Sequence, residues 1–103
     1  MTILNIDHIP GKEVEALGLV KGSVVYSKNF GRDFLSAMKT LVGGEITDYT
    51  KMLEEARQIA IGRMVKDAET QGADAVLNLR FASSSVMQGA AEVIAYGTAV
   101  RYK

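Results

Sequence analysis

The sequence predicts an α+β protein in which one antiparallel sheet carries two helices on one face. Three observations lead to this fold class. Strand-forming residues dominate residues 13–28, apolar residues recur at helical spacing in residues 29–71, and apolar residues alternate with polar or small ones in residues 77–102. Strands therefore flank a helical middle, and the expected element order is ββ-α-α-ββ.

The first two strand segments are expected in residues 2–6 and 13–28, separated by a Pro-Gly pair at residues 10–11. The Lys-Gly pair that ends at Gly22 interrupts the second segment and predicts a hairpin turn, with Gly22 at positive φ. Gly18 predicts a bulge or the close approach of another backbone.

Two helices are expected next. The first spans residues 29–42 and stops at Gly43. The second runs from Thr47 or Asp48, with Thr47 as N-cap, to Gln71, and Gly72 ends it in the left-handed conformation. One broad face of the second helix is apolar, formed by Tyr49, Met52, Leu53, Ala56, Ala60 and Met64.

Two further apolar residues of the second helix, Ile61 and Val65, fall outside this face. A helix that rests on one sheet needs a single apolar stripe. The additional flank therefore predicts contact with a second copy of the chain.

The C-terminal part is expected to form two more strands. The first is residues 77–81, in which apolar residues alternate with Asn78 and Arg80. Residues 83–89 are serine-rich and are interpreted as a flexible connection. Residues 93–102 form the last strand, whose small residues at 95, 97 and 99 can lie against a helix.

Composition limits the classes of function. The 103 residues are expected to form a single domain, 1–103, with 48% hydrophobic residues. Twelve basic residues balance twelve acidic ones, which argues against nucleic acid or an anionic membrane as partner and makes self-association easier. There is no cysteine, so thiolate chemistry is excluded. The N-terminal residues lack a basic region followed by an apolar stretch and so do not suggest a signal peptide, and we expect a soluble cytoplasmic protein.

Several segments of the sequence resemble those of a known protein family. The chain is similar, over nearly its whole length, to the YbjQ-like bacterial proteins. One departure is Asp74, where such families usually carry Asn. The matching segments are Pro10-Gly11, Gly18–Gly22, Gly43-Gly44-Glu45, Tyr49-Thr50, Ala56-Arg57, Ala60, Met64, Ala68, Gly72–Val76 and Tyr96–Val100.

The resemblance implies a ring-forming α+β subunit, in the form of a homopentamer, and brings a label of heavy-metal binding. It implies no established activity. The sequence likewise contains no catalytic constellation, so we expect a binding or scaffold protein and not an enzyme, with no cofactor. The alternatives are a protein that binds a heavy metal or divalent cation and a small-molecule enzyme with a site between subunits.

The metal alternative depends on His8, the only histidine, which follows Asp7 and precedes two glutamates in sequence. One imidazole with carboxylates could bind a borderline metal if copies brought several together. The competing interpretation, which we favour, is a solvated histidine.

The remaining candidates for ligand or interface contacts are Glu45, Tyr49, Arg57 and Arg63. The glycines before Glu45 could cradle an anion, but the acidic residue there favours a simple helix start. The two arginines lie at the margins of the apolar helix face. Asp67 lies one turn beyond Arg63, so we predict an ion pair between them that fixes a contact between subunits. The alternative is an arginine that binds an anion in a cleft between subunits.

Overall fold

In the computed structural model, residues 1–27, 45–87 and 90–103 are described. The predicted first helix, residues 29–42, and its glycine stop lie outside these ranges. The described elements are β1 (Thr2–Ile3), β2 (Val14–Ser27), α1 (Glu45–Thr70), β3 (Ala75–Met87) and β4 (Ala90–Tyr102). They form an α+β structure, as predicted.

The sheet is four-stranded with the order β1-β3-β4-β2, and it is mixed. β4 pairs antiparallel with both β2 and β3, but β1 runs parallel to β3. The prediction of a purely antiparallel sheet is therefore wrong. The reason is that β1 and β2 occupy opposite edges, so residues 4–13 cross the sheet and bring β1 alongside β3.

β2 is one continuous strand, so the predicted hairpin turn at Lys21 and Gly22 is wrong. A Cβ at Gly22 would lie 2.2 Å from the backbone N of Met64 and 2.3 Å from the carbonyl O of Ala60. Gly22 is therefore the place where α1 touches the sheet backbone. A glycine required for close approach and a glycine required for a turn give the same local sequence pattern.

The bulge predicted at Gly18 is confirmed. The β2–β4 register shifts between Ala16 and Gly18, and Gly18 has a φ of 146°. The bulge lies near the C-terminal end of α1, where the side-chain oxygen of Gln71 is 3.7 Å from the position a Cβ would take.

α1 ends as predicted but does not begin as predicted. Gly72 has a φ of 75°, its N–H bonds the carbonyl of Glu69 at 3.0 Å, and the N–H of Ala73 bonds the carbonyl of Ala68 at 3.1 Å. This pair of bonds is a Schellman C-cap. Thr47, predicted as the N-cap, lies inside the helix, which already includes Glu45.

The main core lies between α1 and the sheet. Its buried residues come from a four-residue repeat on α1 and from alternating positions on the strands: Ala56, Ala60, Met64, Ala68, Val20, Val76, Val93, Ala95 and Ala99. Ile61 and Val65 are half-buried against this same core. The flank that was expected to need a second copy is thus largely used within the chain, and that argument for self-association is lost.

The other sheet face carries a second, smaller core. Residues 4–13 cross this face, and Ile9 is buried there with Ala75, Leu77 and Val100. Val100 thus lies on the face away from α1, whereas Ala95 and Ala99 lie beneath the helix as predicted. The crossing segment covers only one end of the face.

β3 is longer than predicted. Ser83 and Ser84 pair with Val93 and Glu92 of β4, so the serines belong to a strand and the predicted flexible connection is wrong. The simple alternation expected for residues 77–81 is also broken, because Asn78 has a φ of 56° and the register shifts between Leu77 and Arg80. Backbone pairing with β4 outweighs the weak strand preference of serine.

Candidate functional site

The predicted site residues whose side chains are described, His8, Arg57 and Arg63, do not converge in one copy of the chain. Arg57 and Arg63 are both exposed on α1, six residues apart, which places them about 120° apart around the helix axis. Glu45 and Tyr49 belong to the first two turns of α1, and their side chains lie outside the described part of the structure. His8 is in the segment that crosses the opposite face of the sheet.

Arg63 binds the backbone of β2 instead of Asp67. Its Nη1 donates to the carbonyl O of Ser23 at 2.6 Å, while Asp67 accepts from the N–H of Lys21 at 3.2 Å. The predicted ion pair between Arg63 and Asp67 is therefore wrong. Both side chains hydrogen-bond backbone groups at the outer edge of β2, and these groups could otherwise pair with a strand of another chain.

We expect Arg63→Met to reduce the free energy of unfolding by about 1 kcal/mol, because one hydrogen bond to a backbone carbonyl is lost while the aliphatic stem is kept. Urea denaturation of the variant and the parent protein measures this difference. Lys66→Met is the control, since Lys66 is exposed on the same helix. Equal losses in the two variants would show that the bond to Ser23 does not stabilise the fold.

The environment of His8 does not resemble a metal site. Its Nδ1 lies 3.0 Å from Oδ1 of Asp7, and the two side chains are 67% and 82% exposed. The hydrogen bond with His8, assisted by a backbone hydrogen bond and by the charge of His8, holds the pKa of Asp7 below its ordinary value. Within the described ranges no group of three or more His, Asp or Glu side chains is placed to hold an ion.

A surface that the sequence analysis missed lies on the sheet face away from α1. Val20 and Gly22 of β2 face the helix, so the alternate residues Leu19 and Val25 face the other way and are 68% and 56% exposed. We call this surface the open sheet face. It comprises Leu19, Lys21, Val25, Arg80, Glu92, Ile94 and Tyr96.

The register of the strands organises this surface. Tyr96, 37% exposed, is the cross-strand partner of both Lys21 and Arg80, so one aromatic ring lies between two cationic side chains. Such a surface suits contact with another apolar surface or with an anionic group. The signal in the sequence was the alternation along β2, which the assumed turn at Gly22 concealed.

Among the described residues, no helix combines the length and the apolar character needed to cross a membrane.

The fold and surface define an α+β protein in which one described helix packs on a four-stranded mixed sheet. The chain belongs to the YbjQ family, whose model matches residues 1–103 and is described as "Putative heavy-metal-binding". The family resemblance is thereby confirmed.

Relatives and a solved structure agree with this assignment. The chain is 60% identical to a UPF0145 protein of Clostridium novyi (strain NT), covering 98% of each chain. It is 56% identical to a UPF0145 protein of Methanosarcina acetivorans, covering 98% of this chain and 96% of the other, so the family is not confined to bacteria. A crystal structure of a DUF74-family protein from Pediococcus pentosaceus aligns with a TM-score of 0.70 at 16% identity, over 100% of this chain and 98% of that one, which shows the fold.

Proposed function

We propose that this protein is a homo-oligomeric binding or scaffold protein of the cytoplasm, a ring of five copies with ligand sites in the grooves between subunits. The observation that carries the proposal is the open sheet face. Leu19 and Val25 are among the most exposed large apolar side chains of the described residues, and they share one face with Ile94 and Tyr96. Clustered apolar exposure of this kind marks interaction surfaces.

Two further properties support self-association over another partner. The chain carries twelve basic and twelve acidic residues, so copies approach one another without net repulsion. The open sheet face also lacks the strong single-sign charge that recruits nucleic acid, because Glu92 lies among its cations, opposite Val25.

The ligand sites of the ring would be assembled from residues that are separated in one copy. Arg57 projects from α1 and is exposed. Lys21 and Arg80 lie on the far side of the sheet. A groove that joins the helix layer of one copy to the open sheet face of the next would bring such cations together, which suits an anionic small molecule. Glu45 and Tyr49 remain candidates for the same groove.

Native mass spectrometry at micromolar concentration tests the assembly, and we expect a ring mass for the parent protein. Leu19→Ser should raise the dissociation constant at least tenfold, because an apolar side chain of this size contributes about 1.5–3 kcal/mol when it is buried. Leu19→Met is the matched control, because it keeps an apolar side chain of similar volume at the same exposed position. A monomeric parent protein, or equal effects of both substitutions, would contradict the proposal.

The description of the family favours one alternative, a ring that binds a heavy metal. Because no described cluster within one copy has three metal-binding side chains, the ion would need His8 and its acidic neighbours from several copies. The same mass spectra distinguish this alternative, since a metal-binding ring retains an ion that His8→Ala removes. An ion-free ring after incubation with Zn²⁺, Ni²⁺ and Cu²⁺ would dismiss it.

A further inference from the structure

The two long edges of the sheet differ in how their backbone groups are occupied. At the β2 edge, Asp67 accepts from the N–H of Lys21 and Arg63 donates to the carbonyl of Ser23. These two side chains of α1 take backbone groups that point away from β4. Native sheets commonly protect an edge in this way against pairing with another chain.

The β3 edge is protected over only part of its length. The N-terminal segment bonds the carbonyl of Val76 through Leu4 N–H, and the N–H of Leu79 through the Leu4 carbonyl, at 2.9 and 3.0 Å. The N–H of Asn78 likewise donates to Ile6 at 3.1 Å. This half of the β3 edge is therefore already paired with the N-terminal segment of the same chain.

The register shows which groups of the second half point outward. Because the Lys21 N–H points away from β4, its partner Tyr96 directs its backbone groups toward β3, where it faces Arg80. Pairing alternates along an antiparallel ladder, so Ala82 and Ser84 also point inward. The N–H and C=O groups of Phe81 and Ser83 then point outward, and no strand in residues 1–27, 45–87 or 90–103 pairs with them.

The residues of this open half lack two of the features that commonly protect a strand edge. Residues 81–84 contain no proline and no charged residue, and all four are exposed. Phe81 shares the helix-facing side of the sheet with its partner Ala95, yet it is 43% exposed, whereas Ala95 is fully buried. An additional strand would pair the outward groups and cover the Phe81 ring at the same time.

We infer that the outer edge of β3 at residues 81–84 is a strand-docking site, and that its occupant is a strand of a second copy of this chain. The inference rests on the proposed self-assembly and specifies one of its contact surfaces. Because Arg63 and Asp67 occupy outward backbone groups of Ser23 and Lys21, this part of β2 is not the strand that docks.

Ser83→Pro tests the inference, because proline removes the outward N–H of residue 83 and leaves the inward groups of Ala82 and Ser84 in place. We expect native mass spectrometry to show that the variant dissociates, with a dissociation constant at least a hundredfold higher than that of the parent. Ser83→Ala keeps the N–H and should assemble normally. A Ser83→Pro ring of unchanged size and affinity would overturn the inference while leaving the proposed ring intact.

Hydrogen exchange of the unmodified protein gives a second readout that does not depend on the folding of a variant. The protection factors of the Phe81 and Ser83 amides should fall at least tenfold when the protein is diluted below the dissociation constant of the assembly. The Leu79 amide, bonded within the chain to Leu4, is the internal control and should not change. Protection of residues 81 and 83 that is absent, or that does not depend on concentration, would contradict docking of a second copy, and a parent protein that is monomeric throughout would overturn both proposals.

Discussion

Replacing Gly22 with alanine is expected to destabilise the protein by about 3 kcal/mol, at the upper end of the usual cost of overpacking. The new Cβ would lie 2.2 Å from the backbone N of Met64 and 2.3 Å from the carbonyl O of Ala60. Both atoms belong to the helix backbone, so no side-chain rotation can relieve the clash and α1 must move away from β2. Equilibrium unfolding in urea measures the loss.

Gly62→Ala is a matched control in the same helix. A Cβ at Gly62 meets nothing within 4 Å, so the substitution should instead stabilise the helix by about 1 kcal/mol, the difference in helix propensity between glycine and alanine. A loss of unfolding free energy for Gly22→Ala together with a gain for Gly62→Ala would establish close helix–sheet contact at Gly22. A neutral Gly22→Ala would contradict close packing of α1 against the backbone of Gly22.

The second large effect is expected for Met64→Ala, which should cost about 3 kcal/mol, within the range for truncating a buried methionine to alanine. Met64 is fully buried and is the largest fully buried side chain among the described residues. Its neighbours in the core include several alanines and the Gly22 backbone, which have little side chain to move into the cavity.

Met64→Leu is the control for this prediction, because it keeps the volume of the side chain and should cost less than about 1.5 kcal/mol. Urea denaturation of the three proteins at the same concentration gives the comparison. Similar losses for leucine and alanine would indicate that the shape of the side chain, and not the volume removed, determines the effect.

The sequence predicted those parts of the fold that depend on local chemistry. Gly72 ends α1 because only a residue that tolerates positive φ can complete the C-cap, and this requirement is visible in the sequence. Gly18 marks a bulge for a similar reason. The predicted apolar face, which includes Ala56, Ala60 and Met64, likewise identified the buried side of the helix.

The sequence did not predict features that depend on distant parts of the chain. Gly22 was assigned to a turn because the residues of α1 that contact its backbone lie about forty positions away in the sequence, where local patterns do not reveal them. The same mistake divided β2 and so concealed the alternation that places Leu19 and Val25 on the open sheet face. Arg63 was paired with its nearest carboxylate along the helix, whereas its partner is the Ser23 carbonyl on a strand.

The position of β4 has a consequence for how the chain acquires its structure. β4 follows the other elements in the sequence, yet it is the strand to which both β2 and β3 are bonded. During translation β2 therefore leaves the ribosome long before its partner exists, because the ladder that joins Val14 to Tyr102 pairs residues far apart in the sequence. Such non-local pairing makes folding slow and leaves a nascent strand prone to aggregation. We therefore expect α1 to contact β2 early and to cover its apolar residues until β4 has been synthesised.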